Sequence, residues 1–183
     1  MMEGKKWIAF FSHTGTEIYK LYEQYNIKPD KIVTNKSPGD KEINPNLLKM
    51  ECDMVYLKSK PTISDYNRVL LYCDAKCFCT LHGWMRVIPE VICNDYEIYN
   101  LHPGLITKYP ELKGKDPQSR VNFETHEYIG AVIHEVSPGV DEGPVLVGTS
   151  IRNHYYNTQQ VDKKLRELAI SAWKDLFEMK GML

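Results

Sequence analysis

This 183-residue chain has no apolar run of about 18 residues, so no segment of it reads as a membrane span. Net charge is also scarce. Lys plus Arg number 23 and Asp plus Glu 24, leaving −1 at pH 7, which gives no field for phosphate-driven nucleic-acid binding. Neither a membrane nor a nucleic acid is therefore an expected partner. Internal repeats and low-complexity stretches are absent. The five cysteines (Cys52, Cys73, Cys77, Cys79 and Cys93) are odd in number and hold no Cys-x-x-Cys pair, against a zinc ribbon or a redox dithiol. Free thiols in a reducing, cytoplasmic setting are the expectation, with Cys77 and Cys79 alternating onto one strand face. The apolar stretch 7–11 is too short for a signal-peptide core and lacks a cleavage pattern, so it reads as a buried strand.

What is present is ordinary for a globular protein: 43% hydrophobic and 26% charged residues, in a length suited to one domain over 1–183. Strands are predicted at 7–12, 31–34, 54–57, 77–81, 98–101, 128–136 and 144–151. Helices are predicted at 15–25, with Ile18, Leu21, Tyr22 and Tyr25 as its stripe, and at 64–73 behind a Ser64 cap. A third covers 157–180, with Val161, Leu165, Leu168, Ala172 and Leu176 inward. Asn157 and Gln160 suit its start and Gly181 its end. The polar, proline-dotted stretch 35–62 reads as a loop or shortened crossover. This order predicts an α/β fold, Rossmann-like, with a mostly parallel twisted sheet, helices on both faces and an antiparallel addition late in the chain.

Ligands of such sheets sit beyond the carboxyl ends of the strands. Three marked stretches fall there: SHTGTE after the first strand, HGWMR after the cysteine-rich one, and NLHPG after the next. In the last, Asn100 and His102 are two apart and point the same way if extended. An amide donates without titrating, and an imidazole moves protons near neutral pH. Together they suit a carbonyl carbon under attack, one steadying the oxyanion and the other handling the proton. Asp141, in the turn SPGVDEGP, is the candidate to orient the ring. The same residues admit plainer roles. Asn-x-His and Asp both stabilise turns, and His102, His134 and Asp141 resemble a metal set, although no His-x-x-x-His spacing supports one.

Residues 81–146 resemble the folate-dependent formyltransferase family in three ordered blocks. These are LHGWMRVI at 81–88, NLHPGLITKYP at 100–110, and GAVIHEV at 130–136 followed by DEGP at 141–144. The resemblance implies a single formyltransferase-like catalytic domain that moves a formyl group from 10-formyltetrahydrofolate, its co-substrate, to a primary amine, with no metal. By it, Asn100, His102 and Asp141 are catalytic. Met85, Arg86, Val87 and Ile88, with Val136, Ser137, Pro138, Gly139 and Val140, would line the folate slot. Thr14, Gly15, Thr16, Gly83 and Lys108 would face the amine, phosphorylated or not. The family's default acceptor is glycinamide ribonucleotide, with another nucleotide or a nucleotide-linked amino sugar as further choices, and its members are monomers or homodimers.

The acceptor half departs from the family pattern. Its first loop reads His13-Thr14-Gly15-Thr16-Glu17, placing a carboxylate where a phosphate would need positive field. Thr14 and Glu17 have the spacing of a capping box, which would stabilise the helix without any ligand. Thr107 and Glu111 replace a Pro and a Gly, and Ala169 falls where the family has a glutamate, with Glu167 near. A tRNA-formylating role is not expected, since that branch carries a further C-terminal domain. The rivals are a formyltetrahydrofolate hydrolase, whose branch usually carries an added N-terminal domain, and a folate- or nucleotide-binding protein without turnover. The catalytic reading requires Asp141 within ~6 Å of the His102 ring, and that ring open to substrate.

Overall fold

The computed structural model describes residues 5–71, 77–155 and 157–183. The proposed helix end at Cys73 lies outside them, as does Cys73 itself. Among the described residues one seven-stranded sheet runs in the order β3-β2-β1-β4-β5-β6-β7. Its strands are β1 (Lys6–Phe11), β2 (Lys31–Thr34), β3 (Asp53–Tyr56), β4 (Cys77–His82), β5 (Glu97–His102), β6 (Tyr128–Glu135) and β7 (Val145–Arg152). The first five are mutually parallel, while β6 runs antiparallel to β5 and β7 to β6. This is the expected fold class.

The central strands are apolar on both faces, as a covered parallel sheet requires. Trp7, Ala9, Phe11 and Phe78 point to one core, Ile8, Phe10, Cys77, Cys79 and Leu81 to the other. The first core is closed by α1 (Thr16–Tyr25), the single turn α2 (Pro45–Leu48) and the long α6 (Thr158–Met179). The second is closed by α3 (Ile63–Leu70) and α4 (Glu90–Asp95). Burying Cys77 and Cys79 side by side is the arrangement their i, i+2 spacing predicted.

Two predicted caps differ in the structure. Helix α3 starts behind Thr62, not Ser64. The Asp65 carboxylate accepts from the Thr62 amide and hydroxyl, both at 2.8 Å, closing a capping box one residue pair upstream. Helix α1 has no Thr14–Glu17 box. Its cap is Gly15, at φ +70, and Glu17 turns inward to other partners. Helix α6 begins as read: Asn157 Oδ1 accepts from the Gln160 amide at 2.9 Å. Gly181 ends it with φ +71.

The strand order reverses between β1 and β4. The loops leaving these two strands diverge there and open a crevice at the carboxyl edge.

Candidate active site

Asn100 and His102 sit on β5, on the face of the α3/α4 core. Register pairs Asn100 with His134 and His102 with Val132 on the antiparallel β6. Directly opposite residues share a face, so His134 joins Asn100 and His102. The chain then turns back over the strand ends through residues 136–144. Gly143 permits this, because a Cβ there would lie 1.7 Å from the Glu135 carbonyl oxygen. The turn holds Asp141 at φ +53, a conformation that Asp tolerates better than most residues.

Asp141 lies between the two imidazoles. Its Oδ2 is 3.2 Å from His102 Nδ1 and its Oδ1 is 3.3 Å from His134 Nε2. The Gly114 amide donates to Oδ2 at 3.0 Å. Burial alone pushes this carboxyl up. The hydrogen bonds from both histidines, the charge of His102 and the Gly114 amide outweigh it and hold Asp141 well below the usual carboxylate range. Asn100 Nδ2 stands 3.3 Å from His134 Nε2. The other His134 nitrogen, Nδ1, donates to the Glu135 carbonyl at 2.9 Å.

The spacing condition on His102 and Asp141 is met. The condition that the ring be open is not met in this conformation. His102 is 4% exposed, and its Nε2 donates to the Leu112 carbonyl at 2.8 Å. That carbonyl belongs to the segment following β5, which folds back over the strand end. A single-turn 3₁₀ helix, Pro110–Leu112, and α5 (Pro117–Arg120) build it. The Arg120 guanidinium ties it together through the carbonyls of Glu111, Leu112, Lys113 and Lys115.

On the face of Asn100 and His102, Ile88 is buried and Val136 packs in the same core. Met85, Val87 and Val140 are exposed by 46, 76 and 66%. Three open apolar side chains in the segments flanking the triad fit a flat, partly apolar ring system. Arg86 is anchored on the loop after β3, its Nε donating to the Ser59 carbonyl at 2.5 Å. The Ser137-Pro138-Gly139 turn is the approach to Asp141.

The opposite side of the rim holds an open cavity of ≈800 Å³ lined by Thr14, Gly15, Thr16, Glu17, His82 and Gly83, with α6 as its far wall. It reaches the end of β5 at Leu101 and, just past the strand, Pro103, the two neighbours of His102, but Asn100, His102 and Asp141 are not on its wall. Four of the residues expected to face the amine thus come together, and Lys108 does not. Its ammonium rests 4.0 Å above the Tyr128 ring, a cation–π contact that turns it away.

Sequence reading gave His134 no role beyond a possible metal set, and did not foresee the Glu17–His82 contact. His134 was within a quoted motif; the signal for it is its register opposite Asn100, which appears only once β6 is known to pair antiparallel. Among the described residues no group of three or more His, Cys, Asp or Glu is arranged to hold a metal ion. No helix there is long and apolar enough to cross a membrane.

Comparison with known proteins agrees with this architecture. The phosphoribosylglycinamide formyltransferase of Bacillus subtilis is 25% identical over 91 residues, 48% of this chain and 45% of that protein, so the match spans under half the relative's length. The crystal structure of glycinamide ribonucleotide transformylase 1 from Symbiobacterium toebii superposes with a TM-score of 0.79 at 16% identity, covering 96% of this chain and 86% of that one. A formyltetrahydrofolate deformylase from Pseudomonas putida KT2440 gives a TM-score of 0.73 at 17% identity, over 93% of this chain and 62% of its own. At these identities the superpositions speak to fold. The model of the formyl transferase family matches residues 8–173, nearly the whole sheet and most of α6, and the chain belongs to that family.

Proposed function

We propose that this protein transfers a formyl group from 10-formyltetrahydrofolate to the primary amine of a small molecule in the cytoplasm. The observation that carries the reading is Asp141 set between His102 and His134 with Asn100 alongside. The donor supplies a formyl carbon on a nitrogen that can leave. The amine nitrogen attacks that carbon, the carbon–nitrogen bond to the folate breaks, and the proton lost by the amine ends on the folate nitrogen. Asn100 and His102 donate to the oxygen as it takes up charge. Asp141 orients the His102 ring and balances its positive form, and His134 holds the second carboxylate oxygen. Met85, Val87 and Val140 offer the pteridine its apolar contact. For His102 Nε2 to act, its hydrogen bond to the Leu112 carbonyl must open. Turnover on this reading includes a displacement of the segment after β5.

The acceptor is a nucleotide, a nucleotide-linked amino sugar or another small amine, and glycinamide ribonucleotide is the first to try. The test follows folate product release with a panel of such amines. His102→Ala and Asn100→Ala are each expected to lower turnover by about 10²–10³ while circular dichroism stays unchanged. Near-normal rates in either variant overturn the assignment. Formate release with no amine present identifies a hydrolase instead, and folate binding with no product a carrier.

A further inference from the structure

A hydrogen-bonded network that the reaction above does not use runs from the core to the wall of the cavity beside α1. The Trp7 indole donates to Thr80 Oγ1 at 2.6 Å, Thr80 Oγ1 is 2.7 Å from His82 Nε2, and His82 Nδ1 is 2.6 Å from Glu17 Oε1. Trp173, from α6, also donates its indole N–H to Glu17 Oε1. Trp7, Thr80 and Trp173 are fully buried, and the His82 side chain is 1% exposed. The donors of this network are all used when they run toward Glu17: indole to hydroxyl, hydroxyl to imidazole, imidazole to carboxylate. Two donors thus fix one carboxylate oxygen. The other, Oε2, has no hydrogen-bond partner among the described residues, and the Glu17 side chain, 27% exposed, stands on the cavity wall.

Much of the polar wall around Glu17 is already engaged. Thr14 Oγ1 bonds Thr16 Oγ1 at 2.9 Å and accepts from the Thr16 amide at 3.2 Å. Asn44 Nδ2 donates to Thr16 Oγ1 at 3.1 Å. The hydroxyls at the start of α1 are therefore engaged internally. Of the cations of the wall, Lys20 pairs with Glu23 at 2.6 Å and Arg166 with Asp162 at 2.9 Å, and Lys163 stands on α6 at the far side. A phosphate here would face the carboxylate of Glu17, whereas a hydroxyl or ammonium group could donate to its unpaired oxygen.

We infer that Glu17, braced by His82 and Trp173, is the specificity residue for the acceptor, and that it selects a hydroxyl- or ammonium-bearing amine such as an amino sugar over one carrying a phosphate at that end. This rests on the formyl-transfer reading only for the name of the ligand as acceptor. Binding is therefore measured without folate, through the indole N–H resonance of Trp173, assigned with Trp173→Phe. Glucosamine is expected to shift it saturably, inorganic phosphate to leave it unmoved, and Glu17→Gln to raise the glucosamine Kd tenfold or more with an otherwise superimposable spectrum. A shift driven by phosphate or by glycinamide ribonucleotide and indifferent to Glu17→Gln overturns the inference, as does silence toward every probe. A second assay adds formyl donor. Binding through Glu17 without any transfer overturns the transfer reading alone. Transfer to a phosphorylated amine with KM unchanged in Glu17→Gln overturns the present one alone.

Discussion

At the scale of residues, Asp141 carries a charge in a place that opposes it, and two imidazoles and one amide reverse the outcome. Its folded pKa lies below the unfolded one, near 3.9. The stability it contributes is therefore present above that value and is lost as pH falls below it. Asp141→Asn should lower the urea midpoint at pH 7, and the gap to wild type should narrow steadily between pH 5 and pH 2. A gap independent of pH would show that the charge is not what matters. On the proposed function the same variant should lose formyl transfer, because His102 loses the carboxylate beside its Nδ1. Asn100, His102 and Asp141 are singled out by residue type, by spacing and above all by the family resemblance, and the fold brings His102 and Asp141 within hydrogen-bonding range. His134 could not be read in this way, because its place depends on a pairing register between strands, which is not written in local spacing. Glu17 was legible as a charge in the wrong place for phosphate. Its partners, His82 and Trp173, come from 65 and 156 residues away and left no local sign.

At the scale of elements, all seven strands were legible to within about a residue at their ends, because each is a short β-prone run bounded by turn residues and the central ones are continuously apolar. The short helices Pro45–Leu48, Glu90–Asp95 and Pro117–Arg120 were not, since fewer than two turns show no periodicity to read. They matter nonetheless, because α5 and the 3₁₀ turn before it form the cover over His102. Two glycines set the loops of the site. Gly143→Ala places a Cβ against the Glu135 carbonyl, and Gly15→Ala puts one 2.4 Å from Leu47 Cδ2 at a positive φ. Backbone cannot yield as a flexible side chain can, so Gly143→Ala is expected to cost more, about 2–4 kcal/mol, and to displace Asp141. Thermal melts and turnover of both variants check the order: Gly143→Ala lower in Tm and nearly inactive, Gly15→Ala milder in both.

At the scale of the molecule, the sheet separates two tasks. The α3/α4 face carries Asn100, His102 and the exposed apolar side chains, the α1/α6 face carries the cavity, and the two approach each other over the carboxyl edge near Leu101, Pro103 and Gln118. The thiols report on how closed the whole is. Cys77 and Cys79 are buried, and burial pushes the thiols of half-buried Cys52 and Cys93 up. With Cys73→Ser removing the residue outside the described structure, Ellman's reagent at pH 7 should label the native protein slowly and below one equivalent, then four thiols in urea. Rapid native labelling of Cys77 or Cys79 would contradict the buried strand.

The antiparallel pair β6 and β7 enters the chain after the parallel half is finished. A ribosome that has extruded only residues 1–127 has delivered Asn100 and His102 but neither His134 nor Asp141. The nascent protein at that moment has a donor pair with nothing to orient it. On the proposed function, chemical competence therefore arrives late in translation, when the final hairpin docks on β5.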